Sequence, residues 1–193
     1  ELSLIPDMTV ADNIWLGHQP MKWGVLVDKK AVRGKTQELL DLFAGTVQES
    51  LKPDEPISAL PPDERQIIEI LKALSLDPRL IILDEATASL DSQQVSRLFE
   101  LVSQWKEQGK AIIFVSHRMD EIFRVADRAV VLRNGRSVGT AIISETDEQE
   151  LVNMMVGDVT AVPRQLEHDP VPENAAVRLK LQNISSDVLQ DVS

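Results

Sequence analysis

The clearest hydrophobic pattern in the chain is a pair of short apolar runs separated by an amphipathic segment. One run covers Leu80 to Leu83 and the other covers Ala111 to Val115. Apolar runs of this length are typical of buried strands in a parallel sheet. Apolar residues at helical spacing lie between them, and Gly109 follows as a helix stop. These residues are Val95, Leu98, Phe99, Leu101, Val102 and Trp105. The pattern predicts a strand–helix–strand unit.

The residues before this unit, from 1 to about 77, are predicted to be mostly helical. Their breaks are marked by Pro20, by the stretch 52–56 and by Pro61-Pro62. One helix is predicted to follow Asp28, which can cap it. Its apolar stripe is formed by Val32, Leu39, Leu40 and Phe43. Residues 158 to about 176, rich in proline and charge, are predicted to be a linker.

Two adjacent carboxylates follow the first predicted strand. Asp84 and Glu85 stand at its carboxyl end, where open α/β sheets bind their ligands. An acid pair at this edge suits a magnesium nucleotide, since one carboxylate can serve the hydrated metal and the next can position and deprotonate a water. The alternative is structural, because such a pair can also be a helix cap with a solvated neighbour.

A histidine follows the second predicted strand. His117 lies 117 − 85 = 32 residues after Glu85. A strand–helix–strand unit of this length makes a right-handed parallel crossover, so both strands end at the same edge. We therefore expect His117 to lie near Asp84 and Glu85. A lone histidine after a strand is more often structural, but the shared edge favours a catalytic role.

These motifs together resemble the nucleotide-binding domain of an ATP-binding-cassette (ABC) transporter. The resemblance rests on LIILDEATASLD and on IIFVSHRMDEIFRVADRAVVLRNGR, which keep the order and separations of that family. It implies an α/β fold: a P-loop NTPase core with a mainly parallel sheet, plus an α-helical subdomain. It also implies ATP and Mg²⁺ as cofactors.

The same resemblance assigns roles to individual residues. Asp84 would be the magnesium-side acid of the Walker B strand, with the metal held through water, and Glu85 would be the catalytic base. Ser89 and Asp91 belong to the D-loop, which crosses the dimer interface. His117 would be the switch histidine that contacts the γ-phosphate.

The two ends of the chain narrow the resemblance to importers of simple sugars of the ribose, galactose and xylose type, which carry two cassettes in one polypeptide. ELSLIPDMTVADNIWLGH resembles the segment just after the Q-loop glutamine. Residues 150–157 resemble the close of a first cassette, and 177–185 resemble the opening strand of a second. The expected organisation is a helical subdomain in 1–77, the C-terminal part of the ATPase core in 78–157, a linker in 158–176 and the start of the second cassette in 177–193.

A phosphate-binding loop is missing from this pattern. Such a loop needs a glycine five residues before Gly-Lys-Thr, and the only Gly-Lys-Thr, at 34–36, has Lys29 at that position. We expect the true loop and its strand upstream of Glu1, so the chain alone should bind ATP poorly and be inactive. Strand edges left open by that loss would favour a dimer, or strand exchange through residues 177–185.

The signature loop departs from the family pattern. The aligned stretch is Leu60, Pro61, Pro62, Asp63 and Glu64, where the family has serine and small glycines for the γ-phosphate of the opposing cassette. Prolines supply no N–H, and a carboxylate at ~4 Å from a phosphate charge costs about 1 kcal/mol in water and about 4 kcal/mol at an effective dielectric near 20. We expect the following helix to persist. The ATP site completed by this loop should be weak, which predicts an asymmetric transporter or, as an alternative, a non-hydrolytic regulatory or scaffold cassette.

The resemblance also implies protein partners. These are the second cassette, the membrane permease and, indirectly, a periplasmic or extracellular sugar-binding protein, with the subunit on the cytoplasmic face of the membrane. The candidates for the permease-docking surface are Trp15 and Trp23 with Met8, Val10, Ile14 and Leu16. Ordinary helix packing explains the same spacing equally well.

The composition limits which other classes of protein the chain could belong to. With 193 residues, 43% of them hydrophobic, the chain can form one sizeable core, and the lack of cysteine excludes disulfides. No run approaches the ~18 apolar residues of a membrane span, and no secretory leader is recognised. The net charge of −11 argues against nucleic acid and anionic lipid, and so against a related DNA-repair ATPase. His18 and His168 lack partners at ligand spacing and are expected to be exposed.

Overall fold

The structure is a computed structural model, and it describes residues 4–48 and 51–157. The predicted linker at 158–176, the segment 177–193 and His168 lie outside this range. The elements are α1 (Val10–Ile14), β1 (Met21–Lys22), β2 (Leu26–Val27), α2 (Lys29–Leu40), α3 (Pro62–Leu74), β3 (Leu80–Asp84), α4 (Ser92–Glu107), β4 (Ala111–Val115), α5 (Met119–Val125), β5 (Arg128–Arg133), β6 (Arg136–Ile142) and α6 (Glu148–Val156). Short 3₁₀ turns cover Asp41–Phe43, Ile57–Ala59 and Ile143–Glu145.

The predicted strand–helix–strand unit is confirmed. Strands β3 and β4 pair in parallel, from Leu80 opposite Ala111 to Asp84 opposite Val115. Helix α4 connects them, and all six of its predicted apolar positions are buried. The chain leaves α4 through Gly109, whose φ of +79° lies in the left-handed region that glycine adopts without strain. The crossover brings the ends of both strands to one edge of the sheet.

The prediction that these two strands are buried holds for only one of their faces in the described residues. Ile81 and Leu83 are buried on the side of α4, whereas Ile82 is 60% exposed and Ile113 is 48% exposed. Successive side chains of a strand lie on opposite faces, so a single covering helix buries only alternate residues. The outer face of β3 and β4 is therefore apolar and open.

The predicted helix after Asp28 is confirmed as α2. The Asp28 carboxylate accepts a hydrogen bond from Ala31 N at 3.0 Å. The Gly-Lys-Thr at 34–36 lies in the middle of this helix, and Thr36 is buried, with its hydroxyl accepting from Trp15 Nε1 at 3.0 Å. This tripeptide is therefore part of a packed helix and not a phosphate-binding loop.

The proposed docking residues separate into two groups. Val10, Ile14 and Trp15 are buried in the main core, as the packing interpretation expects. Trp23 is 81% exposed at the turn of a short hairpin, β1–β2, that the hydrophobic pattern did not predict. Leu16 is also exposed and Met8 is half-buried, so the accessible candidates are only part of the original set.

A buried amide joins the start of the described chain to α1. Asn13 is fully buried, and its Oδ1 accepts from Ile5 N at 2.7 Å. Its Nδ2 donates to Ile5 O and to Thr9 O, both at 3.0 Å. Since all three partners are backbone groups, one side chain fixes the path of the loop before α1.

A second, smaller cluster closes the described chain. The antiparallel hairpin β5–β6 turns at Asn134-Gly135, both with positive φ, and α6 packs on it through Leu151. None of the helices in residues 4–48 and 51–157 has the length and apolarity needed to cross a membrane. Helix α6 includes most of the segment 150–157, which resembles the close of a first cassette.

The expectation that His18 is exposed is wrong. Its ring is half-buried, lies 5.2 Å from the Trp15 ring, and places Nε2 at 2.8 Å from Ser75 Oγ. The hydroxyl of Ser75, at the end of α3, supplies a partner that sequence spacing did not indicate.

Candidate functional site

The candidate site lies where β3 and β4 end. Glu85 follows β3, and its N–H donates to Val115 O at 3.0 Å, which extends the parallel pairing by one bond. The His117 ring places Nδ1 at 3.0 Å from Glu85 Oε1. These side chains are 74% exposed for His117 and 46% for Glu85, so both can reach a ligand. The structure thus brings together two residues 32 positions apart, as the crossover predicts.

The backbone at Glu85 is unusual. Its φ of +47° lies in the left-handed region, which is sparsely populated by residues other than glycine. Such a conformation costs on the order of 1–3 kcal/mol and persists only where surrounding contacts enforce it. Because strained residues of this kind concentrate at functional sites, the conformation supports a functional role for Glu85.

Asp84 occupies the last position of β3 and is exposed. Carboxylate oxygen is the ligand type that Mg²⁺ prefers, and Mg²⁺ is usually held by one or two carboxylates with water and substrate phosphates. Among the described residues no three acidic or histidine side chains cluster as a metal cage. The exposed, single Asp84 fits a magnesium ion that arrives with a nucleotide.

The structural alternative for the acid pair is not what the structure shows. The cap of the next helix is Asp91, whose Oδ1 accepts from Gln93 N and Gln94 N, both at 2.8 Å. Gln94 Oε1 in turn accepts a hydrogen bond from Asp91 N at 3.0 Å, which completes a capping box. Ser89 is exposed just before it. One oxygen of Asp91 is therefore engaged in starting α4.

A buried polar cluster lies beneath the site, and the sequence analysis missed it. Thr87 and Ser116 both donate to the carboxylate of Glu121, which is 1% exposed. Thr87 comes two residues after Glu85, and Ser116 comes directly before His117. The hydroxyl residues Thr87 and Ser116, close to Glu85 and His117 in the sequence, were the only signal of this cluster that the sequence offered. The sequence did not show that Glu121 on α5 accepts from both of them.

The signature-like stretch forms the start of α3. Leu60 is buried, Pro61 is the N-cap, and Pro62 is the first helical residue, a favourable position for proline. Asp63 accepts from Gln94 Nε2 at 2.8 Å. Glu64 is 2% exposed and accepts from Gln48 N at 3.0 Å. The expectation that both acids face an incoming phosphate therefore fails for Glu64, which is turned into the protein.

Burial raises the pKa of the Glu64 carboxyl above its ordinary value, with smaller contributions from the charges of Asp63 and Glu55. The Gln48 N–H acts in the opposite direction without cancelling the effect. A raised carboxyl pKa means that the folded state binds the proton more tightly than the unfolded chain. The associated stability is complete below the unfolded-state pKa and is lost as the pH rises through the folded-state pKa.

Replacing Glu64 by Gln is therefore expected to stabilise this chain at pH 7. Glutamine keeps the volume and the acceptor for Gln48 N while removing the buried charge. Urea unfolding should show a higher free energy of unfolding for Glu64→Gln at pH 7 and a smaller difference in mild acid, where Glu64 is protonated. The exposed control Glu107→Gln should change little. A loss of stability at neutral pH would contradict the argument.

The chain has clear relatives among known proteins. It is 42% identical over 192 residues to the ribose import ATP-binding protein RbsA of Chromobacterium violaceum, a match that covers 97% of this chain and 36% of that protein. It is 40% identical to the protein of the same name from Corynebacterium glutamicum, covering 97% and 34%. A putative ribose/galactose/methyl galactoside import ATP-binding protein of Burkholderia lata is 36% identical, covering 100% and 36%.

The fold has solved counterparts. A dimeric ATP-binding cassette in a post-hydrolysis state, bound to ADP and phosphate, superposes with a TM-score of 0.63 at 22% identity, covering 74% of this chain and 60% of that one. No protein-family profile matches the chain. The chain spans about a third of the length of the curated relatives it matches. The α/β fold and the cassette architecture are thus confirmed.

Proposed function

This chain belongs to the ATP-binding-cassette family, as a segment of the kind found in sugar-import ATP-binding proteins, and on that premise we propose that its protein hydrolyses ATP to drive uptake of a small sugar. The observation that carries the proposal is the 3.0 Å contact between Glu85 and His117 at the common edge of β3 and β4. The sugar is of the ribose or galactose class, which the relatives' names suggest.

Glu85 is the proposed general base. Its carboxylate is accessible, follows a parallel strand directly, and can orient a water and accept its proton. His117 holds one side of that carboxylate through Nδ1, which leaves Nε2 on the opposite side of the ring for the terminal phosphate. The two side chains thus position water and phosphate relative to each other.

Asp84 would hold Mg²⁺, and the ion, when bound, would neutralise charge on the phosphate oxygens. Ser89 and Asp91 would lie at the boundary with a second cassette. Since one oxygen of Asp91 starts α4, the same residue ties that boundary to the helix connecting β3 and β4.

The proposed organisation has residues 1–77 as the helical subdomain that receives a membrane permease and 78–157 as part of the ATPase core. Residues 158–176 would link to a second cassette beginning at 177–193. Through the permease the subunit would sit on the cytoplasmic face of the membrane. A sugar-binding protein outside the membrane would act on it only indirectly.

A second candidate is a cassette that binds ATP without turning it over. It is favoured by Pro61 and Pro62, which present no N–H at the start of α3, where a phosphate would need donors. The Glu64 carboxylate would repel a phosphate less than the sequence suggested, because Glu64 is buried. Asp63 also shares its carboxylate with Gln94.

The proposal is tested with the protein that contains this chain, purified with its permease. Phosphate release should require both ATP and Mg²⁺ and should stop when the metal is chelated. Uptake of labelled ribose and galactose into vesicles should depend on that hydrolysis. Tight ATP binding with no phosphate release would favour the second candidate, and hydrolysis without uptake of any small sugar would reject the importer.

A further inference from the structure

The buried carboxylate beneath the site has no role in the mechanism given above. We propose that Glu121 is a positioning residue that holds the segment bearing Glu85 and the segment bearing His117 in fixed relation. This inference rests on the proposed function, because it concerns the geometry of the hydrolytic pair. Helix α5 carries neither member of the pair, and through Glu121 it would keep the pair assembled.

The contacts of Glu121 join the two segments directly. Thr87 Oγ1 donates to Glu121 Oε2 at 2.9 Å, and Ser116 Oγ donates to the same oxygen at 2.7 Å. Thr87 belongs to the segment after β3 and Ser116 to the segment after β4. One carboxylate oxygen is therefore the shared acceptor of the two segments that carry Glu85 and His117.

The surroundings make this contact strong and specific. Thr87 is 3% exposed and Glu121 is 1% exposed, so water cannot readily replace either partner. Because both groups are buried, the loss of either one would leave its partner without this hydrogen bond, which is costly. Ser116 Oγ also accepts from Arg118 N at 3.1 Å, which fixes the direction of its own O–H.

The other carboxylate oxygen of Glu121, Oε1, lies beside the guanidinium of Arg118. Arg118 Nη1 lies 3.0 Å from Oε1, at an angle outside hydrogen-bond geometry. The same guanidinium places Nη2 at 3.3 Å from Asp120 Oδ2, so its charge is divided between two acids. The flanking residues of His117 thus both contact Glu121, one through a hydroxyl and one through a guanidinium.

The pair needs such support because its own contacts are exposed. Glu85 and His117 touch each other at the surface, where a single polar contact between side chains is weak. The left-handed backbone of Glu85 also persists only if neighbouring contacts enforce it. The hydrogen bond from Glu85 N to Val115 O holds the backbone at Glu85 itself. The hydrogen bond from Thr87 Oγ1 to Glu121 Oε2 holds the chain two residues later.

The first test compares Thr87→Val, Thr87→Ser and Glu121→Gln in the ATP-hydrolysing protein. Thr87→Val keeps the volume and removes the hydroxyl, whereas Thr87→Ser keeps the hydroxyl. We expect kcat to fall about 10- to 100-fold in Thr87→Val, as when a group that orients a functional residue is removed. The fall in Glu121→Gln should be smaller, because the amide oxygen still accepts from both hydroxyls while its NH2 group faces the Arg118 guanidinium. The KM for ATP should stay within about twofold, because Thr87 and Glu121 are buried, whereas Glu85 and His117 are exposed. Thr87→Ser should restore most of kcat.

Thermal unfolding of each variant separates misfolding from misplacement. Glu107→Gln, an exposed acid on α4, is the control for a change of charge. A kcat within twofold of wild type in both Thr87→Val and Glu121→Gln would overturn the proposal. Equal losses in Thr87→Val and Thr87→Ser would also overturn it, since volume and not the hydroxyl would then matter.

The second test uses this 193-residue chain and needs no activity. The contact with Glu85 makes His117 Nδ1 the expected proton carrier in the neutral ring, and nitrogen chemical shifts distinguish the two tautomers. At about pH 8.5 the Nδ1–H fraction of the neutral ring should fall in Thr87→Val and return in Thr87→Ser. An unchanged fraction in folded Thr87→Val would overturn the positioning role. If the Nδ1–H fraction falls in Thr87→Val but the protein does not hydrolyse ATP, the positioning role of Glu121 is supported and only the proposed activity is rejected.

Discussion

Replacing Glu85 by Gln is expected to lower the rate of ATP hydrolysis by about 10²- to 10⁴-fold, the usual contribution of a positioned general base. Glutamine has nearly the same shape and can still contact His117, but it cannot accept a proton from water. The affinity for ATP should change little, because the lost interaction acts on the attacking water. Single-turnover phosphate release by the protein that contains this chain measures the chemical step without product release.

The matched control is Glu107→Gln, which makes the same chemical change at an exposed position of α4 away from the strand ends. It should leave the single-turnover rate unchanged. Undiminished turnover in Glu85→Gln would show that the hydrolytic site lies elsewhere, for example in a second cassette. The Glu85–His117 contact would then be a structural one.

Replacing Asn13 by Asp should lower the free energy of unfolding of this chain by about 3 kcal/mol at pH 7, because buried donors are lost and a charge is buried. Aspartate has the same size, but it lacks the two N–H donors that serve Ile5 O and Thr9 O. Each buried group left unsatisfied costs about 1–3 kcal/mol, and the new charge would face two carbonyl oxygens. Urea unfolding followed by circular dichroism measures the change.

Acidification should partly reverse this loss, because the introduced carboxyl group would recover one donor on protonation. The control is Asn153→Asp, since Asn153 is exposed on α6 and accepts from Gln149, which a carboxylate can also do. Its effect should stay within about 0.5 kcal/mol. A similar loss in both variants, or no recovery in acid for Asn13→Asp, would contradict the role given to Asn13.

Local signals in the sequence predicted the elements that lead to the site. Apolar runs bounded by polar residues indicated β3 and β4, and helical spacing ending at Gly109 indicated α4. Asp28 indicated the start of α2 because its cap bond lies within three residues. The crossover rule then placed His117 near Glu85 without any knowledge of side-chain contacts.

Features that depend on distant partners were not predictable in this way. An apolar run predicts a strand but does not indicate which elements pack on its two faces. The exposed face of β3 and β4 was therefore not predicted. The hairpin β1–β2 has only two residues per strand, too few for a periodic signal. Glu121 meets Thr87 across 34 residues, and the bond of Glu64 to Gln48 spans 16. Both acids stand in the first turn of a helix, where acidic residues are common, and no local feature of the sequence marks them as buried.

The left-handed backbone at Glu85 also bears on attempts to engineer this protein for heat resistance. Glycine adopts that conformation freely and would relieve about 1 kcal/mol of strain, yet it would remove the carboxylate. A screen for thermal tolerance alone would therefore favour glycine here, and the protein would lose the proposed general base. Selection for robustness and selection for turnover conflict here, so directed evolution of this segment should score both traits together.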